Sequence, residues 1–240
     1  PYIQEAKPLV DDPGAVKAAE MVNEFTRKAI EILDKHPVNV ERRRKGLPPA
    51  NAILLRDAGD ALPQAPPFRE VYGLNMASIV EMPVERGIAK VLGLSLLEAV
   101  EDPQEVDKKT LLEKEAHLAA KALEEFDGVY VHLKGPDEPG HDGDFEGKVR
   151  AIEDIDKYFF GTILDKIDLD KTIIIVTSDH ATPWHLKAHS DDPVPLMFSN
   201  PEFPEKHEAF SEVECQRGTL GVLEGGYKII PTLLDVISKL

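Results

Sequence analysis

The sequence predicts an α/β fold built on a mainly parallel sheet with helices on both faces. Three observations predict it. Short continuous apolar runs, of the kind that suit strands covered on both sides, recur at Met76 to Val80, Val129 to Leu133 and Thr172 to Thr177. Amphipathic or Ala/Leu/Glu-rich stretches of helical length separate them, which implies right-handed βαβ crossovers. The most polar, ligand-like motifs fall directly after apolar runs, where α/β sheets gather their functional groups.

Taken in order, Asp12-Pro13 is an N-cap followed by a first-turn proline. The apolar spacing Val16, Ala19, Val22, Phe25, Ala29, Ile30 and Leu33 makes the following segment one long amphipathic helix, stopped by His36-Pro37. A basic loop from Glu41 to Pro49 is expected to lead to a strand at Ala52-Ile53-Leu54-Leu55, with a loop from Arg56 to Gly59 after it. Beyond the proline-rich connection Pro63 to Pro67, Met76 to Val80 is a buried strand. A helix from Val84 to Leu92 follows it, ended by Gly93. Leu111 to Phe126 is helical, Val129 to Leu133 a strand, and Val149 to Ile167 helical again. Thr172 to Thr177 is expected to be a central strand, Pro195 to Phe198 an edge strand, and Ile229 to Leu240 a closing helix. There is no internal repeat and no low-complexity tract.

The 240 residues, 42% of them apolar, suffice for one large domain or two small ones. With 28 Lys and Arg against 44 Asp and Glu, the formal charge is -16, which repels nucleic acid and acidic membrane surfaces. An anionic substrate therefore needs locally concentrated positive charge, and bound cations supply it efficiently. The single Cys215 cannot form an internal disulfide, and no apolar stretch reaches the roughly 20 residues of a bilayer span, so a cytoplasmic location is expected. A natural reading frame begins with Met, so the start at Pro1 is expected to be trimmed.

Two motifs carry chemistry. The first, Lys134-Gly135-Pro136-Asp137-Glu138-Pro139-Gly140-His141-Asp142-Gly143-Asp144, is a fixed Gly/Pro turn offering a hard carboxylate at Asp137 and an imidazole at His141. That pairing suits Mn, Zn or Fe rather than Ca alone. A solvated acidic turn is the plain alternative. The second, Ser178-Asp179-His180-Ala181-Thr182-Pro183-Trp184-His185 with His189-Ser190 beyond it, abuts an apolar strand, where an uncompensated carboxylate would be costly. One histidine there could merely satisfy a core carbonyl. Asp179, His180, His185 and His189 within so short a stretch, from 8 His in the chain, point to a metal site. Cys215 has no nearby His, and no P-loop, G-x-S-x-G or G-x-G-x-x-G motif occurs. The run Arg42-Arg43-Arg44-Lys45 fits a solvated helix end or loop better than a phosphate clamp.

On these residues the chain resembles the archaeal-type cofactor-independent phosphoglycerate mutases, members of the alkaline phosphatase superfamily. The matching stretches are Lys7-Pro8-Leu9 with the helix after it, His36 to Arg43, Gly46 to Asn51, Gly135 to Asp144, Ser178 to Pro183 and His189 to Leu196. The resemblance implies an alkaline-phosphatase-like fold in which residues 1 to 240 form the C-terminal part of the metal-binding phosphatase-type domain. The N-terminal strand, the cap domain and the nucleophilic serine segment would lie before Pro1, so no catalytic nucleophile is expected within the chain.

It further implies two divalent ions, usually manganese, with Mg, Co or Zn as alternatives. Asp137, His141 and His189 would hold one, and Asp179 and His180 the other. The implied activity, belonging to glycolysis and gluconeogenesis, interconverts 3- and 2-phosphoglycerate through a phosphoserine. The partner is a small phosphorylated metabolite, with neither nucleic acid nor membrane, and a homo-oligomer is compatible with the resemblance. Arg56 and Lys134 are the candidate substrate-binding cations.

Departures from the family pattern stand at Arg56-Asp57-Ala58-Gly59, where Arg-Gly-Ala-Gly is expected, at Glu101 to Gln104, which replace a glycine- and threonine-rich turn, and at Gly221 to Gly226, where expected arginines are missing. Losing fixed cations weakens recognition of phosphoglycerate. A phosphomonoesterase of the same superfamily and a non-catalytic relative are the alternatives.

Overall fold

The computed structural model describes residues 3–55, 59, 61–203 and 209–238. They form two compact units, residues 1–62 and 63–240, each taken by itself below.

The first unit is helical. Helix α1 spans Pro13–Asp34, and the Asp12 carboxylate caps it by accepting from the backbone N–H of Gly14 at 2.8 Å and Ala15 at 3.1 Å. Lys35 ends it, as His36-Pro37 predicts, but Pro37 at once opens a second helix, α2, over Pro37–Arg44. This corrects the expected basic loop: proline at a helix N-terminus loses no hydrogen bond, and His36 caps through Nδ1. The arginines are spent locally. Arg43 pairs with the Asp34 carboxylate and donates to its carbonyl, while Arg42 donates to Pro48 O.

Buried Asn39 fastens the return of the chain by donating to Leu33 O at 2.7 Å and Ala50 O at 3.0 Å and accepting from Ala50 N at 2.8 Å. The expected strand at Ala52 to Leu55 does not form, and Leu54 is 77% exposed. Apolar composition suits a strand only where a neighbouring strand takes up the backbone N–H and C=O groups, and the described residues of this helical unit offer none.

The second unit holds the α/β body. A short helix α3, Phe68–Tyr72, precedes β1, Met76–Ile79. Helix α4, Pro83–Val91, returns to β2, Ser95–Leu97, and α5, Lys108–Ala122, leads to β3, Gly128–Val131. All three strands are parallel in the order β2-β1-β3, with Ala77 opposite both Ser95 and Val129. Gly93 ends the α4 turn at φ 73°, a left-handed backbone that glycine adopts without strain. β1 is buried throughout Ala77, Ser78 and Ile79, as a doubly covered central strand requires.

Leu112, Ala116 and Ala119 share one face of α5 and pack with Ile79, Phe159 and Ile163. The two alanines let the helix approach closely, and full burial of Leu112 stabilises the fold by roughly 2 kcal/mol. Phe159 and Ile163 come from a helical run of α7, Phe145–Asp154, a π-helical turn at Ile155–Phe160 and α8, Gly161–Ile163. That run realises the helix expected over 149 to 167.

β4, Ile174–Thr177, pairs antiparallel with β5, Leu196–Ser199, in a separate two-stranded sheet. The edge position of β5 is as expected, but β4 has no second partner among the described residues and so is not the central strand that its composition suggests. An apolar run measures burial, not the number of hydrogen-bonded neighbours. α9, Glu212–Cys215, and α10, Ile229–Ile237, complete the unit.

Candidate metal centre

Two chain reversals bring the ligand-type residues together. After β3 the chain runs through Pro136 into α6, Asp137–Asp142, so Asp137 and His141 stand one turn apart on the same helix face. Gly143, at φ 76°, closes that helix. After β4, Asp179 and His180 start a loop that folds back at an isolated bridge between Ala181 and Ser190, where Ser190 N donates to Ala181 O at 3.1 Å. The reversal returns His189 to His180, ring on ring, with centroids 3.7 Å apart. Lys187, the non-glycine residue with positive φ (54°) among those described, sits in this reversal. Such backbone positions concentrate at functional sites.

Asp137 Oδ1 lies 3.5 Å from His141 Nε2 and 3.7 Å from His189 Nε2, and the two Nε2 atoms are 3.1 Å apart. A tetrahedral ion about 2.1 Å from each donor would set them about 3.4 Å apart. His141 Nδ1 faces the carbonyl oxygen of Lys187 at 3.3 Å. A carbonyl only accepts, so the neutral ring carries its proton on Nδ1 and directs the Nε2 lone pair at Asp137 and His189. With His189 Nε2 unprotonated as well, the three atoms converge at separations that suit a cation; a proton on that nitrogen gives a hydrogen bond to His141 Nε2 instead.

His180 Nδ1 also approaches Asp137 Oδ1, at 4.0 Å, so Asp137, His180 and His189 form an alternative trio. The trio with His141 is the better ligand set: its distances are shorter, and His180 Nδ1 is already engaged by the Thr182 hydroxyl at 3.0 Å. The other nitrogen of His180, Nε2, is 3.3 Å from Asp179 Oδ2, again a separation that two ligands of one ion would show. Burial acts to raise the Asp137 carboxyl. The Thr182 hydroxyl, donating at 2.7 Å, and the positive charge of His141, His180 and His189 in their protonated forms outweigh it and hold the group below the ordinary carboxylate range. The side chains of Asp137, His141 and His189 are each about half exposed, so a solute can reach them.

The remaining predicted residues lie elsewhere. His185 stands against the Trp184 ring, 5.9 Å between centroids, outside the converging set. Lys134 is ion-paired with Glu85, whose Oε1 is also 2.9 Å from His132 Nδ1. Arg56 lies outside the described residues. Sequence reasoning missed three residues that assemble the centre. Lys148 on α7 donates to Pro136 O and to Thr182 O, each at 3.1 Å, tying the two ligand loops together. Gly140 lets the loops touch, because a Cβ there would meet Thr182 O at 2.6 Å. Thr182 contacts ligands of both loops. Gly140 and Thr182 are visible in the quoted motifs, but Gly140 acts by its approach to Thr182 O and Thr182 by its bond to Asp137 45 positions away, contacts that only folding makes.

A family model described as the metalloenzyme superfamily matches residues 16–227. Among curated relatives, the chain is 53% identical, over 99% of its length, to a protein of Aeropyrum pernix named 2,3-bisphosphoglycerate-independent phosphoglycerate mutase. The chain spans 56% of that relative's length. A solved structure from Pyrococcus horikoshii superposes with a TM-score of 0.76 at 31% identity, covering 95% of this chain and 59% of that one. A cofactor-independent phosphoglycerate mutase from Thermoplasma acidophilum superposes with a TM-score of 0.56 at 26% identity, covering 94% and 53%.

Proposed function

This chain belongs to the metalloenzyme superfamily, and from that premise we propose that it carries most of the metal centre of an enzyme that interconverts 3- and 2-phosphoglycerate through a phosphoserine. The observation that carries the proposal is the convergence of Asp137 Oδ1, His141 Nε2 and His189 Nε2 within 3.1 to 3.7 Å. These three residues hold one ion; Asp179 Oδ2 and His180 Nε2, 3.3 Å apart, supply part of a second site. Two protein ligands make an incomplete catalytic site, since three or more are usual, and residues outside this chain complete it together with the serine nucleophile.

Manganese is the ion the family resemblance implies; the mixed carboxylate and imidazole set accepts it, with Zn, Co or Mg competing. Divalent ions bound there lower the pKa of a hydroxyl nucleophile and neutralise phosphate charge. Asp137 contributes the fixed negative charge, and neutral His141 and His189 contribute lone pairs, so the loaded centre keeps the net positive charge an anionic substrate needs in a chain of formal charge -16.

The phosphatase-type domain proposed for residues 1–240 thus has its centre in the second unit. Lys134 reaches substrate on this reading only by exchanging its Glu85 pair for a phosphate or carboxylate oxygen. Arg56 is proposed beside it as a second substrate cation. Among the described residues no helix is long and apolar enough to cross a membrane, and a cytoplasmic, glycolytic setting fits the proposed substrate.

The whole protein, loaded with manganese and given 3-phosphoglycerate, is expected to form 2-phosphoglycerate faster than inorganic phosphate. Phosphate release exceeding mutase turnover would move the assignment to a phosphomonoesterase. Two bound manganese ions with neither product would sink it.

A further inference from the structure

We propose that Thr182 is a positioning residue that divides the five donor side chains between two ion sites, by fixing which nitrogen of His180 is free to bind metal. The proposal rests on the metal-centre reading above. Thr182 is 4% exposed, and its hydroxyl lies 2.7 Å from Asp137 Oδ1 and 3.0 Å from His180 Nδ1.

A hydroxyl has one proton, and a carboxylate has none to give, so the Thr182 proton goes to Asp137. Thr182 Oγ1 can then only accept from His180, which requires His180 to carry a proton on Nδ1. A neutral imidazole has a single N–H. His180 Nε2 therefore bears the lone pair, and that atom is the one 3.3 Å from Asp179 Oδ2. Without the hydroxyl, His180 Nδ1 could turn its lone pair toward Asp137 Oδ1, 4.0 Å away, and join the first site instead. One proton donated and one accepted thus assign His180 to Asp179, and leave Asp137 to His141 and His189.

The hydroxyl is held firmly enough to do this. Thr182 O accepts from Lys148 Nζ at 3.1 Å, and the Thr182 methyl and carbonyl rest against Gly140, where a Cβ would lie 3.0 Å and 2.6 Å from them. A threonine that merely fills core volume would satisfy its hydroxyl on a nearby backbone carbonyl. This one bonds two side chains instead, one of them 45 positions away.

The test compares the wild-type chain with Thr182→Val, which keeps the shape and removes the hydroxyl, and Thr182→Ser, which keeps the hydroxyl. Nitrogen NMR of the metal-free proteins at about pH 8, where a free imidazole is neutral, reads the His180 tautomer. Calorimetric titration with manganese chloride reads affinity, and circular dichroism confirms folding. Wild type and Thr182→Ser should show the Nδ1–H tautomer, with affinities within about threefold, and Thr182→Val should lose that tautomer and bind manganese at the weaker, Asp179-side site about 10- to 100-fold less tightly.

An Nε2–H tautomer of His180 in the wild type overturns the proposal, as does a folded Thr182→Val with unchanged tautomer and affinity. Should Thr182→Val fail to fold, the tautomer in wild type and Thr182→Ser still decides. A wild type that binds no manganese refutes the metal reading, and the NMR result then decides the role of Thr182 alone.

Discussion

Replacing Glu115 by glutamine changes the pH dependence of stability by an amount the structure sets. Glu115 is only 2% exposed, on α5 beside the core residue Ala116. Burial, then the negative charge of Glu81, push its pKa up from 4.5 to about 7, against a smaller opposing pull from Lys108. Glu115 Oε2 and Glu81 Oε1 have no hydrogen-bond partner among the described residues, so no hydrogen bond at these atoms offsets the cost of ionisation.

The folded state holds the proton more tightly than the unfolded chain, so the penalty is absent below about pH 4.5, grows as pH rises, and is complete above about pH 7. A shift from 4.5 to about 7 corresponds to at most about 3 kcal/mol at pH 8, against about 1 kcal/mol at pH 5. Glu115→Gln removes the charge at similar volume, and the cost of burying the amide cancels between the two pH values. Relative to wild type, the variant should therefore gain about 2 kcal/mol on going from pH 5 to pH 8. Urea denaturation followed by the fluorescence of Trp184, the chain's one tryptophan, reports on the second unit. A gap between variant and wild type that is the same at both pH values would refute the reasoning.

Gly140→Ala places a methyl 2.6 Å from Thr182 O, where neither backbone can retreat without parting the ligand loops. It should cost about 1–3 kcal/mol in urea denaturation and weaken manganese binding together with stability. Lys148→Met leaves Pro136 O and Thr182 O without their donor. It should destabilise the second unit by about 1–3 kcal/mol, and Lys148→Arg should recover part of that loss.

Where structure is set by neighbours in sequence, it was legible beforehand. Asp12-Pro13 and Gly93 mark the start of α1 and the end of α4, and the apolar period shows α5 and its buried face. Asp137, His141 and His189 were visible as ligand-type residues in two polar motifs, but their grouping into one set came from the family resemblance and not from any local pattern. What failed depended on partners. The runs at Ala52 to Leu55 and Thr172 to Thr177 look alike in composition, yet one has no neighbouring strand and the other a single antiparallel one. The charged stretch of α2 lacks an apolar stripe and is helical through its caps, Pro37 and His36. Lys148 and Thr182 act through carbonyls and side chains that only folding brings near, and no local pattern announces them.

The central claim is that Asp137, His141 and His189 form an ion site within this chain. Electron paramagnetic resonance of free manganese, titrated against the wild-type chain and the variants His141→Ala, His189→Ala and Asp179→Ala, tests it directly. One tight site is expected in the wild type, lost in both histidine variants and kept in Asp179→Ala, which should lose only a weaker site. Tight binding that survives His141→Ala and His189→Ala, or that disappears in Asp179→Ala, would contradict the claim.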